Sequence, residues 1–206
     1  MVKRAFRTLL LIVCPCLVLS ACAAGSSLYV PGDLTRPAGA VAAAAGAPQA
    51  VIAGFSFAAA PDNVVGRDFD RVRPVVWKGE PGKAMADLVA SVLGERGVAT
   101  VRRGADAQGA GAVPVRISGV VRRFEVNARR TGNLTVVTEA TVSLTIRAEG
   151  PGIPGPLEET VTSSASFSDL FVTPDGLREV LSSTANAAAE EAARKLLEAK
   201  VVVPAS

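Results

Sequence analysis

The sequence predicts an α+β domain, a two-layer α/β sandwich with two helices on one face of a mixed sheet. Three observations predict it. Leu134–Ala148 alternates, with Leu134, Val136, Thr138, Ala140, Val142, Leu144, Ile146 and Ala148 in one phase and Thr135, Val137, Glu139, Thr141, Ser143, Thr145 and Arg147 in the other. A period of two over that length marks a strand with one buried and one wet face. Two other stretches, Pro81–Glu95 and Pro174–Lys200, each carry a single apolar stripe at helical spacing. One apolar sheet face and two apolar helix stripes are buried together when the elements stack in two layers.

In chain order, Ala50–Ala58 reads as the first strand, apolar on nearly both faces and therefore central in its sheet. Pro61–Glu80 reads as a solvated loop holding Asp68, Asp70 and Trp77; flanking arginines argue against a metal role for the two carboxylates. The helix from Pro81 to Glu95 follows, with Pro81 in its first turn, the stripe Met85, Leu88, Val89, Val92 and Leu93, and Gly97 near its C-cap. Val98–Arg102 reads as a short strand parallel to the first, and Gly104–Gly111 as a surface loop. That loop lacks the Lys and Ser/Thr a phosphate loop needs after its glycines.

From Val113 the pattern becomes antiparallel. Val115, Ile117 and Val121 share one phase while Phe124 and Val126 take the other, which predicts a β-bulge near Arg122 and Arg123. Thr131-Gly132-Asn133 supplies a turn into the long alternating strand, and a Gly/Pro-rich turn leads to a strand at Leu157–Ser168 with Val161, Ala165 and Phe167 inward. The closing helix has the stripe Leu177, Val180, Leu181, Thr184, Ala188, Ala192 and Leu196. The predicted order is β-α-β-β-β-β-α.

The amino terminus carries a different message. Lys3, Arg4 and Arg7 precede an apolar run, Leu9–Leu19, which is too short to span a bilayer and contains Pro15. Cations, an apolar run and small residues form a secretory signal. Leu19-Ser20-Ala21-Cys22 at its end resembles a bacterial lipobox, and four consecutive fitting positions favour it over an ordinary signal with Cys22 a bystander. Three divisions follow: a signal peptide at 1–21, an acylated cysteine with a flexible Ala/Gly/Pro tether at 22–49, and a single domain at 50–206. The lipobox resemblance implies two or more acyl chains on Cys22, which is what stable anchoring takes. Ala23, rather than Asp, favours the outer membrane over the inner.

Composition narrows the function by exclusion. Three of the 22 Lys and Arg and none of the 19 Asp and Glu lie in the leader, which leaves 19 against 19 in the mature chain. Such a balance gives no support to nucleic-acid binding. The chain has no histidine, so the commonest general base and metal ligand are absent. Cys14 and Cys16 leave with the leader, and acylation consumes Cys22, which removes thiolate chemistry and disulfides. A Ser–Lys pair of Ser91 with Lys78 or Lys83 would place the serine in mid-helix, and surface lysines are the better reading. No catalytic residue, metal or cofactor is expected.

The order of elements, the lipobox, the helix end Leu93-Gly94-Glu95-Arg96-Gly97-Val98, the paired segments from Ile117-Ser118-Gly119-Val120 to Ile146 and the alanine-rich closing helix together resemble the YajG-type outer-membrane lipoproteins. The same order also resembles the lipoprotein that plugs the lipopolysaccharide translocon, and more loosely the auxiliary lipoproteins of lipid-transport systems. These resemblances imply a periplasm-facing lipoprotein held in the membrane through Cys22, acting on an envelope protein, glycan or lipid. A non-catalytic binding or scaffolding module is the expected function, ahead of a transport accessory or a histidine-free enzyme. The expected contact surface is the wet face of the long strand: Thr135, Val137, Glu139, Thr141, Ser143, Thr145 and Arg147, with Arg116 or Arg122 on the neighbouring strand completing an amphipathic patch.

Overall fold

The computed structural model describes residues 26–34, 50–57, 61–102, 115–151, 153 and 155–203. Among them, eight strands form one mixed sheet: β1 (Leu28–Pro31), β2 (Ala50–Phe57), β3 (Val64–Asp68), β4 (Arg73–Lys78), β5 (Thr100–Arg102), β6 (Val115–Thr131), β7 (Thr135–Glu149) and β8 (Leu157–Asp169). Two helices, α1 (Pro81–Glu95) and α2 (Pro174–Glu198), pack on the sheet and on each other.

The 17 residues of β6 are the spine. Along one edge β6 pairs antiparallel with β7 from Arg116↔Glu149 to Thr131↔Thr135, and β7 pairs antiparallel with β8. The other edge is divided between two groups. The first half of β6 runs parallel to β2, which carries β5 on its far side. The second half meets β3 at Asp68↔Ala128, followed by antiparallel β4 and then parallel β1. The division coincides with the expected bulge: the β6–β7 register shifts between Val121 and Arg123, so Val121 and Phe124 both turn inward.

The α+β class and the mixed sheet with two packed helices agree with the sequence reading, but three strands do not appear in it. Pro61–Glu80 is not a solvated loop. It holds β3 and β4, and Trp77 is almost fully buried, edge-on to Phe124 at 5.1 Å. Phe124 in turn meets the Phe57 ring at 6.3 Å. Nor is the whole of 22–49 a tether, because Leu28–Pro31 is β1, with Leu28 and Val30 buried against the core. These strands are only four to six residues long, too short to show a period, and each is stabilised by a partner rather than by its own pattern. The true order is β-β-β-β-α-β-β-β-β-α.

Close approach fixes one residue type in this added part. A Cβ at Gly66 would meet the Val126 carbonyl oxygen at 1.8 Å, so β3 lies against β6 only with glycine there.

The helices follow their stripes. Met85, Leu88, Val89, Val92 and Leu93 of α1 are buried, and α1 packs on β2, β5 and β6. Its end is a Schellman-type stop: Gly97 sits at φ +81°, its N–H donates to the Gly94 carbonyl at 3.0 Å, and the Val98 N–H donates to Leu93 at 2.9 Å. Helix α2 begins with Thr173 Oγ1 accepting from the Gly176 N–H at 3.0 Å. It buries a broad alanine band, Ala185, Ala188, Ala189, Ala192 and Ala193. Small side chains let it lie low over β7 and β8, and α2 also reaches β1 on the far side of the sheet. Lys195 near its end donates to Glu159 of β8 at 2.7 Å.

Candidate interaction face

Helix α2 covers the inward phase of β7, where Val136, Ala140, Val142, Leu144, Ile146 and Ala148 are all buried. The outward phase carries no described element. There Thr135, Glu139 and Arg147 are exposed, and Val137, Thr141 and Ser143 are half-buried by their neighbours on β6 and β8.

Register decides what stands beside each of them. Thr141 faces Ser164 with hydroxyls 3.1 Å apart, Ser143 faces Thr162 at 2.9 Å, and Thr145 faces Thr160 at 3.0 Å. The result is a ladder of three hydroxyl pairs across β7 and β8. Each such cross-strand pair contributes roughly 0.2–1 kcal/mol and fixes the side chains that make it. On the β6 side the row becomes charged: Arg129 Nη2 donates to Glu139 Oε1 at 2.9 Å, and Arg123 Nε stands 3.3 Å from Glu125 Oε2. Arg147 Nε pairs with Glu149 at 2.7 Å. Glu125 pairs in register with Thr141, and Asn127 with Glu139. The face is therefore a surface of hydroxyls bordered by several ion pairs, with Val137 as its apolar member.

The structure changes several details of the expected face. Thr145 is buried, because Thr160 and Arg122, whose Nε lies 3.4 Å from its hydroxyl, close over it. Arg116 and Arg122 both lie exposed on the neighbouring strand β6, Arg116 opposite Glu149 and Arg122 at the bulge, reaching the Thr145 hydroxyl. The arginine directly opposite Val137 is Arg129. On the inward phase, Leu134 lies in the turn before β7 and is 72 % exposed, and Phe167, expected inward, is 54 % exposed.

The carboxylates of the former loop have structural roles. Asp68 is fully buried; its Oδ2 accepts from Arg73 Nη2 at 2.7 Å, and its Oδ1 accepts from the Asp70 N–H at 3.1 Å. It thus closes the β3–β4 turn from inside. Asp70 accepts from Arg130 Nε at 3.0 Å and Nη2 at 2.9 Å, tying that turn to the end of β6. The Arg130 hydrogen bond holds the Asp70 carboxyl below the usual carboxylate range.

A concavity of about 330 Å³ lies between the end of β1 and α1, lined by Gly32, Asp33, Leu34, Ala84, Asp87, Leu88 and Ser91. Both of its carboxylates are engaged, Asp33 with Arg178 at 3.4 Å and Asp87 with Arg102 at 2.7 Å. Neither Lys78 nor Lys83 lines it beside Ser91; Lys78 instead lies 4.8 Å from the centre of the Tyr29 ring. Among the described residues no three His, Cys, Asp or Glu gather into a metal set. Cys22 and the Gly104–Gly111 loop lie outside the described residues. Among those described, no helix is long and apolar enough to cross a membrane.

No family model matches the chain, and no curated protein matches it. Solved structures do. A Xanthomonas campestris protein of family DUF330 superposes with a TM-score of 0.55 at 13 % identity, over 84 % of this chain and 97 % of that one. An uncharacterized protein gives 0.50 at 12 % identity, over 83 % and 99 %. A minor lipoprotein of Acinetobacter baumannii gives 0.39 at 12 % identity, over 75 % and 94 %. At these identities, what the chain shares with the first two is the fold.

Proposed function

We propose that the chain is a lipid-anchored, non-catalytic binding or scaffolding module of the bacterial cell envelope, an outer-membrane lipoprotein of the YajG type. Acylated Cys22 holds it, and the open β6–β7–β8 face is its contact surface for an envelope protein, glycan or lipid. One observation carries this reading: the outer face of β6–β7–β8 is left uncovered among the described residues, and it is a hydroxyl ladder bordered by ion pairs. Such a surface suits a weak, polar envelope contact. The leader ending in Cys22 supports the anchor.

Replacing Cys22 with serine and fractionating the cells tests the anchor. The variant is expected in the soluble periplasmic fraction while the parent stays on membranes. A variant that sediments with membranes as the parent does would overturn the lipid attachment.

A further inference from the structure

Six of the nine exposed large apolar side chains among the described residues sit at one end of the sheet. Phe69 and Val72 are on the β3–β4 turn, Leu134 on the β6–β7 turn, Phe167 at the end of β8, and Leu170 and Phe171 between β8 and α2. Register brings these segments to the same end. Asp68 pairs with Ala128, Thr131 with Thr135, and Val136 with Asp169, so all three connections leave the sheet together. Val72, Leu134 and Phe171 are 69 %, 72 % and 70 % exposed, an unusual degree for residues of this size gathered in one place. Val72 also holds φ at +52°, a left-handed conformation that disfavours a β-branched residue. A turn serving only as a connection would place glycine or asparagine there.

The amino terminus arrives at this same end. Strand β1 runs parallel to β4, with Leu28 opposite Val75, only two residues from the Arg73 that leaves the β3–β4 turn. The chain before Leu28 therefore enters from the side of the apolar turns. Only five residues lie between Cys22 and Leu28. Whatever path they take, they span at most ~20 Å. A lipid on Cys22 cannot hold the domain far from the bilayer, and the part of the domain nearest the bilayer is the apolar end. Arg71, between Asp70 and Val72 in the same turn, is exposed, and its charge adds to that of Arg130 in acting on the Asp70 carboxyl.

We propose that this end of the domain docks into the lipid surface that the acyl chains of Cys22 enter. The proposal rests on the anchor reading above and deepens it. The apolar turn residues bury among the headgroups and upper acyl chains, as amphipathic interfacial segments do, and Arg71 meets lipid phosphate. The acyl chains supply the affinity and the turns supply the orientation. With its turns in the membrane, the sheet stands on end, and the hydroxyl face of β6–β7–β8 points sideways along the periplasmic surface.

The full-length protein, expressed with its leader and purified as the lipidated form, tests this. Under the anchor reading its mature chain has no free thiol, so Phe171→Cys, Leu134→Cys and Glu158→Cys each take one environment-sensitive fluorophore. Glu158 is exposed at the opposite end of β8. The labelled proteins are reconstituted into phosphatidylethanolamine–phosphatidylglycerol vesicles containing a phospholipid with a quencher high on its acyl chain. Docking predicts co-flotation of all three, with a blue shift and several-fold stronger quenching at 171 and 134 than at 158. Co-flotation with equal, water-like emission at all three positions overturns the docking and leaves the anchor standing, and makes the end a site for something other than lipid. Failure to co-float overturns the anchor, and the docking with it.

Discussion

The two faces of β7 are built from neighbouring residues and do opposite work. Leu144 points inward, fully buried beneath α2; Ser143, its neighbour in sequence, points outward with its hydroxyl 2.9 Å from Thr162. Inward, side-chain volume matters, because close-packed interiors leave cavities when atoms are removed. Outward, cross-strand partners and charge matter, and volume hardly does. One strand of period two thus separates what keeps the domain folded from what it shows to its surroundings. The difference teaches that stability and contact can be disturbed independently, one residue apart.

The largest expected effect is on the inner face. Leu144→Ala should cost about 2–5 kcal/mol through lost burial and a residual cavity, which lowers Tm by roughly 4–20 °C for a domain of this size. Ser143→Ala should cost no more than about 1 kcal/mol, the worth of one hydroxyl pair. Thermal unfolding of the two variants side by side checks this. Equal losses would mean the outer face is also packed.

A smaller effect comes from the acid side. Arg130 depresses the folded pKa of Asp70, so the contribution of this pair is present above the unfolded carboxylate pKa. It is lost as pH falls through the lower, folded value. Unfolding of the parent and of Asp70→Asn should therefore differ near neutrality and converge in acid, below the ordinary carboxylate range. A difference that grows on acidification would contradict the ion pair. The pair is exposed and joins a turn to β6, so its contribution is modest beside Leu144.

How much of this was legible depended on length and register. The alternation of β7, the stripes of α1 and α2, and the phase change at Val121–Phe124 all extend over enough residues to show a period, and each corresponds to an element in the structure. β1, β3 and β4 do not. Gly66 and Pro74 interrupt the short runs of β3 and β4, and β1 is held by a strand more than forty residues away. On the face itself the hydroxyl row was readable from β7 and β8 alone. The place of Arg116 and Arg122 on the neighbouring strand was readable too, but Arg129 was not: the bulge sets which residue of β6 stands opposite Val137, and a shift of one exchanges inward for outward. Phe167, Leu170 and Phe171 read as apolar in sequence, and only topology shows them collected with Phe69, Val72 and Leu134 at one end.

The comparison of the two faces is tested most directly by Thr141→Arg, read for stability and for contact together. Thr141 lies at one end of the hydroxyl ladder on the outer face, opposite Ser164 and Glu125. A photo-crosslinker at Val137 in the lipidated protein reports envelope neighbours of that face, with and without the substitution. The account predicts a stability loss of no more than about 1 kcal/mol, the worth of the Thr141–Ser164 pair, or roughly 2–4 °C in Tm, together with loss of the crosslinked species. A fall in Tm like that of Leu144→Ala, or crosslinks that survive the arginine unchanged, would contradict it.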